Sequence, residues 1–319
     1  MKTLIEKFYL ENDKIKEAIT IVALSDLHYM PKTKDEYTQS ILTAVKKSSP
    51  KYIVLVGDYF CGYDKYDLKD SLSAEKVKEL LKELSMIAPV IMSIGNHDIS
   101  VEKEEQLREL FRNLKSDNIY PLDNESIEFD DINFFGFYPT KDSYDINELT
   151  DEKRNKIIEY YKKVKFYLTE GKMNVLLHHL PNNIVDNIIM QECPKLYEYD
   201  LIVSGHAHNG WFSPKQEEKL LNGHTPLLMK HLLKRANLNE KELFEKGELQ
   251  SYGFCESKIG DTPFIRKYSR GMHDVNGTKL IISKGATSGA KLVVAMSLSK
   301  FTKGYSYATE INIKARTRK

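Results

Sequence analysis

Short apolar runs alternate with amphipathic polar stretches along the first two thirds of the chain. Five of these runs are almost continuously apolar, as expected of strands buried on both faces of a sheet. The predicted strands are Ile19–Leu24, Lys51–Val56, Val90–Ile94, Asn174–Leu177 and Leu201–Val203. Residues Ile127–Tyr138 predict a hairpin that turns at Asp130 and Asp131. Residues Leu280–Gly285 and Lys291–Lys300 also predict strands. We therefore expect a sheet that contains strands from both ends of the sequence.

Apolar residues at helical spacing lie between the predicted strands. One stripe spans Val77–Ile87, a second Leu107–Leu114 and a third Ile157–Val164. Each stripe is the expected core-facing side of an amphipathic helix. Strands that alternate with such helices predict an α/β fold.

The polar stretch at residues 212–274 carries no strong strand signal. We interpret it as an insertion or cap within one domain that spans residues 1–319. The length of 319 residues and the hydrophobic fraction of 41% are sufficient for one large core. Candidate ligands spread from Asp26 to His208, which also favours a single catalytic domain.

Composition and charge exclude several classes of protein. The formal net charge is +1, from 47 basic and 46 acidic residues, so no global field attracts nucleic acid or an acidic membrane. Cys61, Cys193 and Cys255 are far apart, which argues against a disulfide framework and a thiolate zinc site. Residues Met1–Glu17 lack the apolar core of a signal peptide, and no apolar run approaches the roughly 20 residues of a transmembrane helix. We expect a cytoplasmic protein without a transmembrane segment, whose oligomeric state the sequence leaves open.

A residue type that binds metals follows each of the five predicted strands. These residues are Asp26 and His28, Asp58, Asn96, His179, and His206 with His208. Open α/β sheets place their ligand sites at the carboxyl ends of strands, so we expect these side chains to meet. Imidazole and carboxylate donors suit manganese, iron or zinc, and manganese is favoured.

The same residues suit a pair of ions. A carboxylate has two oxygens, so Asp58 can bridge both ions, while Asp26 and His28 can reach one ion from a single loop. Two divalent ions carry more positive charge than two carboxylates and a hydroxide remove, which favours an anionic group such as phosphate. Binding to a metal can lower the pKa of water to about 7, and paired ions can clamp an in-line displacement. We therefore predict hydrolysis of a phosphate ester by a metal-activated hydroxide.

The motifs resemble those of the calcineurin-like metallophosphoesterase family. The matching segments are Asp26–His28, Gly57–Asp58, Gly95–Asp98, His179–Pro181 and Gly205–His208. The resemblance implies a four-layer α/β/β/α sandwich with two central mixed sheets. It also implies a first ion held by Asp26, His28, Asp58 and His208, and a second held by Asp58, Asn96, His179 and His206.

Three residues beside the metal motifs have predicted roles of their own. By the same resemblance, His97 is the acid that protonates the leaving oxygen, and Asp98 orients it. His178 precedes His179, and the alternation of side chains along a strand points the two to opposite faces. We expect His178 to be a packed residue or to contact a ligand from behind.

Three functions are compatible with this sequence. The leading hypothesis is hydrolysis of a phosphomonoester or phosphodiester on a small molecule. A nuclease with the same ions would need a basic groove, which the near-neutral charge disfavours. A noncatalytic partner-binding scaffold of the same fold is disfavoured because the chain retains every expected ligand and His97.

Overall fold

The protein is described by a computed structural model that covers residues 2–29, 33–60, 72–99, 104–138, 151–207, 258–259, 262–263, 270–286 and 306–316. His208, the predicted strand Lys291–Lys300 and most of the stretch 212–274 lie outside the described residues. The interpretation of that stretch as an insertion or cap therefore stays a prediction.

Six strands form the first sheet. In spatial order they are β1 (Thr3–Asn12), β14 (Ser306–Ala315), β2 (Ile19–Leu24), β3 (Tyr52–Val56), β4 (Val90–Ser93) and β5 (Ile119–Pro121). Strands β2 to β5 are parallel, whereas β14 runs antiparallel to β2 and parallel to β1. The expectation that both ends of the sequence feed one sheet is confirmed, although the pattern of apolar residues did not predict β1 or β14.

Six strands also form the second sheet. In spatial order they are β12 (Gly271–Val275), β13 (Thr278–Ile282), β9 (Leu201–Ser204), β8 (Met173–Leu177), β7 (Ile132–Gly136) and β6 (Glu125–Glu128). The four inner strands are parallel, and the two edge strands are antiparallel to their neighbours. Strands β6 and β7 form the predicted hairpin. Strands β10 (Lys258–Ile259) and β11 (Thr262–Pro263) form a separate antiparallel pair within the polar stretch. Strand β12 includes residues 271–274, so the end of that stretch belongs to the second sheet.

Helices occur at all three predicted stripes, and the buried residues Leu80, Phe111 and Ile157 lie on their core-facing sides. The described helices are α1 (Asp35–Ser48), α2 (Leu72–Ser85), α3 (Glu104–Arg112), α4 (Asp151–Lys163), α5 (Pro181–Val185) and α6 (Asn187–Glu192). Residues Asn96–Asp98 and Pro194–Tyr197 form 3-10 turns. Helix α1 was not predicted, although its buried residues Tyr37, Ile41 and Val45 recur at helical spacing. Among the described residues, no helix combines the length and the apolar character needed to cross a bilayer.

The two sheets pack face to face, and helices cover their outer faces. Between the sheets, Val54 of β3 belongs to the same buried cluster as Val175 of β8. Their neighbours Leu55 and Leu176 point outwards, where the first packs with α1 and α2 and the second with α4. Full burial of each such side chain stabilises the fold by about 1.5–3 kcal/mol. The predicted four-layer α/β/β/α sandwich with two mixed sheets is confirmed.

Candidate metal centre

The loops that follow β2 and β3 lie side by side at the carboxyl edge of the first sheet. The amides of Asp26, His28 and Tyr29 donate hydrogen bonds to the carbonyl oxygens of Gly57, Asp58 and Tyr59, at 3.1, 3.0 and 2.8 Å. Asp26, His28 and Asp58 have φ angles of 54°, 46° and 58°. This left-handed conformation costs an ordinary residue about 1–2 kcal/mol. Such strain clusters at functional sites, where the surrounding structure imposes it.

Two glycines allow the loop after β3 to contact the loop after β4. Gly57 has a φ of +75°, and a Cβ placed on it would overlap the amide nitrogen of Gly95. A Cβ on Gly95 would overlap Oδ1 of Asp58. Only glycine permits this approach of two backbones. The loops are joined further by the amide of His97, which donates to Oδ1 of Asp58 at 2.8 Å.

Asp58 lies at the centre of the predicted site and is fully buried. Its Oδ2 is 3.2 Å from Nε2 of His179 and 3.7 Å from Nε2 of His28. Two groups of potential ligands share this carboxylate, and within each group the donor atoms lie within 4.8 Å of one another. The groups are His28, Asp58 and His97, and Asp58, His179 and His206. A carboxylate that bridges two ions requires this arrangement.

Asn96 contacts the second of these groups. Its Oδ1 lies 3.1 Å from Nε2 of His179 and 3.0 Å from Nδ1 of His206. The other ring nitrogen of His179, Nδ1, donates a hydrogen bond to the carbonyl oxygen of Val56 at 2.6 Å. This bond leaves Nε2 of His179 directed at Asp58 and Asn96. Imidazoles that bind metals commonly donate their second ring N–H to a carbonyl or carboxylate in this way.

Asp26 is held against the loop after β9. Both of its carboxylate oxygens accept the amide of His206, at 3.0 and 3.1 Å, and Ser25 donates its hydroxyl to Oδ2 at 2.6 Å. Gly285, which follows β13, also lies against Asp26, since a Cβ added to it would be 3.2 Å from Cβ of Asp26. The sequence pattern did not predict this approach. The available signal was the glycine at the end of the predicted strand Leu280–Gly285.

The structure brings together most of the predicted metal ligands. The residues that meet are Asp26, His28, Asp58, Asn96, His179 and His206. His208 is outside the described part of the chain, so its role as a ligand stays a prediction.

The carboxylate of Asp58 dominates the electrostatics of the cluster. Burial acts to raise the pKa of Asp58, but the charges of His179, His97 and His28 outweigh it and hold this pKa well below its usual range. Burial acts to lower the pKa of His179, but the negative charge of Asp58 beside it raises that pKa to about 9. A buried ionised carboxylate needs positive charge beside it. The cluster is therefore suited to hold cations.

The residues present fit divalent ions. Oδ2 of Asp58 is buried, and no donor among the described residues meets the hydrogen-bonding geometry that it requires. Leaving a buried polar atom without a partner is costly, and coordination to a cation would satisfy it. The donors around it are imidazole nitrogens and carboxylate and amide oxygens, which suit manganese, iron or zinc.

His178 points away from the cluster, into the core beneath α4. Its Nε2 lies 2.7 Å from the hydroxyl of Tyr161, and its ring stacks on Phe137 at a centroid distance of 4.5 Å. Burial, and then the charge of His179, lower the pKa of His178 to about 3, so its ring is neutral. The prediction that the two adjacent histidines face opposite ways is confirmed.

Alanine substitutions of these two histidines should separate packing from metal binding. We expect His178→Ala to lower the free energy of unfolding by about 3 kcal/mol, because it leaves a cavity in the core, and to keep bound metal. His179→Ala should lose metal. Urea unfolding and metal analysis of both variants measure this. Metal lost from His178→Ala and kept by His179→Ala would reverse the assignment.

Asp98 lies behind the loop that carries Asp58. Its carboxylate accepts hydrogen bonds from the backbone amides of Asp58, Tyr59, Phe60 and Gly95. The ring of His97 lies edge-on to that of His28, with centroids 4.8 Å apart. The orienting of His97 by Asp98 stays a prediction. The sequence pattern did not predict the contacts of Asp98 with the backbone.

Comparisons with known proteins place this geometry in context. A family model described as calcineurin-like phosphoesterase matches residues 19–210, a range that includes every predicted ligand. An uncharacterized metallophosphoesterase of Campylobacter jejuni is 25% identical over 205 residues, which are 64% of this chain and 48% of the relative. An uncharacterized protein of Acanthamoeba polyphaga mimivirus is 24% identical over an alignment of 296 residues that covers 80% of this chain and 20% of the relative. The chain thus spans about half, or less, of the length of these relatives.

Two solved structures also align with parts of this chain at low identity. A dimetal phosphatase from Danio rerio aligns with a TM-score of 0.37 and 14% identity, over 60% of this chain and 82% of that chain. A phosphoesterase from E. coli aligns with a TM-score of 0.24 and 20% identity, over 38% of this chain and 58% of that chain.

Proposed function

The chain belongs to the calcineurin-like phosphoesterase family, and from this premise we propose that it hydrolyses small-molecule phosphate esters with two divalent ions. The observation that carries the proposal is Asp58, a buried carboxylate shared by two groups of nitrogen and oxygen donors. Phosphomonoesters and phosphodiesters are both within its scope. The balanced charge of the chain favours a small substrate over a nucleic acid, whose binding depends on many cationic contacts.

The ligands are assigned to two positions. The first ion is held by Asp26, His28, Asp58 and His208, and the second by Asp58, Asn96, His179 and His206. The contacts of Asn96 with His179 and His206, at 3.1 and 3.0 Å, support the second set. The distance of 3.7 Å between Asp58 and His28 supports the first. When bound, divalent ions activate water and neutralise the charge of the phosphoryl group. Manganese is favoured because the carboxylates and the amide oxygen of Asn96 are ligands that it prefers.

His97 is proposed to donate the proton that the leaving oxygen needs. Its amide is fixed by Oδ1 of Asp58, and its ring lies beside that of His28, so it borders the first ion position. The residue is only partly buried, which lets the ring recover a proton from solvent after each turnover. A positioned general acid of this kind contributes about 10²–10⁴-fold to the rate.

A substrate screen against several ions tests the proposed function. The substrates are p-nitrophenyl phosphate, bis(p-nitrophenyl) phosphate and single-stranded DNA, each with manganese, ferrous iron or zinc. We expect at least one aryl ester to be hydrolysed with manganese, the activity to be lost with a chelator, and manganese to restore it. Faster cleavage of DNA than of either aryl ester would identify a nuclease. Inactivity with all three ions would favour the noncatalytic scaffold.

A further inference from the structure

We propose that Asp98 is the positioning residue for Asp58: its carboxylate holds the loop 57–60 in the one conformation that lets Asp58 serve both ion positions. The inference rests on the proposed function, because it concerns how ions are bound. It differs from the role in which Asp98 orients the ring of His97.

The loop 57–60 needs a partner on the side of β4. On the side of β2, the carbonyl oxygens of Gly57, Asp58 and Tyr59 are all paired with backbone amides. Strand β4, however, ends at Ser93, so the amides on the other side of the loop have no strand to bond. Oδ2 of Asp98 accepts the amide of Asp58 at 2.7 Å, and Oδ1 accepts those of Tyr59 and Phe60 at 2.7 and 3.2 Å. The carboxylate thus takes the place of the missing strand.

The conformation of Asp58 makes this contact possible. Its φ of 58° turns its amide to the same side as the next two amides, which form a concave nest for an anion. Hydrogen bonds from backbone amides to a carboxylate are about twice as strong as those between neutral groups. Asp98 is 4% exposed, so water hardly competes for these bonds. The buried carboxylate therefore stabilises a backbone conformation that Asp58 would otherwise avoid.

The two aspartates hold each other's loops. Oδ2 of Asp98 also accepts the amide of Gly95 at 2.9 Å, which ties the loop after β4 to the same carboxylate. In return, Oδ1 of Asp58 accepts the amide of His97 at 2.8 Å. Because Oδ1 is engaged there, Oδ2 of Asp58 is the oxygen directed at His28 and His179. The orientation of the shared ligand thus depends on both loops staying joined.

The number of hydrogen bonds that the Asp98 carboxylate can accept distinguishes positioning of the loop 57–60 from orientation of the His97 ring. An ionised carboxylate offers about four lone-pair positions. Four backbone amides occupy those of Asp98. The ring of His97 would have to displace one of these amides in order to bond the same carboxylate.

The substitution Asp98→Asn tests the proposal, with Asp123→Asn as the matched control. The amide keeps the size of the side chain but puts an NH₂ donor against two backbone amides. Asp123 is also a buried carboxylate, with a side chain 5% exposed, but it forms ion pairs with Arg108 and Arg112 and is not one of the predicted ligands. Cobalt(II) titration followed by visible absorption measures ion affinity, and circular dichroism measures folding and thermal stability. We expect Asp98→Asn to bind cobalt about 10–100-fold more weakly than the wild type. Asp123→Asn should lose stability but keep its affinity.

Several results would overturn this role. One is wild-type affinity in Asp98→Asn with a changed pH profile of turnover, which would make Asp98 the partner of His97. Another is an affinity unchanged in both variants while both lose stability. If Asp98→Asn does not fold, hydrogen exchange of the metal-free wild type decides: the amides of residues 58–60 should be protected, and fast exchange refutes the proposal. Failure of the wild type to bind cobalt would instead refute the proposed function.

Discussion

Asp58→Asn should lower the turnover of aryl phosphate esters by at least about a thousandfold and should remove ions from both positions. A thousandfold loss corresponds to about 4 kcal/mol of transition-state stabilisation, within the several kcal/mol that metal ions supply to phosphoryl transfer. The variant keeps the shape of the side chain but removes its charge. It also replaces one of the two oxygens that a shared ligand needs, at a residue that both groups of donors contain.

The measurement for this variant combines metal analysis with steady-state kinetics. Asp123→Asn is again the matched control, because it also neutralises a buried aspartate. The described ion pairs of Asp123 are with Arg108 and Arg112. The control should keep both its metal and its turnover. Full metal content in Asp58→Asn would contradict the assignment of Asp58 as the shared ligand.

His97→Asn should lower kcat by about 10²–10⁴-fold while leaving the metal content unchanged. Asparagine can occupy the same place but cannot deliver a proton as an imidazolium does. The loss should depend on the leaving group, because a poor leaving group needs protonation more than p-nitrophenolate does. Comparing an alkyl phosphate with an aryl phosphate, with metal analysis alongside, measures this dependence.

Two other outcomes for His97→Asn are informative. His97 groups with His28 and Asp58 at distances that suit metal binding. Loss of metal from the variant would therefore make His97 a ligand and not the acid. An equal loss of kcat for alkyl and aryl substrates would argue against proton donation to the leaving oxygen.

The central strands could be predicted because their sequences are almost continuously apolar, and such strands are stable only when both of their faces are buried. The observed strands β2, β3, β4, β8 and β9 agree with the predicted ranges to within one residue at each end. Their apolar residues point to both faces, so each strand must be covered on both sides. The edge strand β12 was missed because its residues alternate between partly buried and exposed. Strand β1 was missed for a similar reason, since most of its residues stay partly exposed.

The sequence by itself determined which chemistry meets at the edge of the sheets, because residues such as Asp58 and His179 directly follow strands whose carboxyl ends must converge. The resemblance of His179–Pro181 to the family motif selected His179 as the ligand, and strand alternation then placed His178 on the opposite face. Only the tertiary structure decided what holds the ligands in place. Asp98 accepts hydrogen bonds from backbone amides of a distant loop, and Gly285 packs against the side chain of Asp26. Any residue type can supply a backbone amide, and a glycine does not show which side chain will pack against it, so the sequence reveals neither contact.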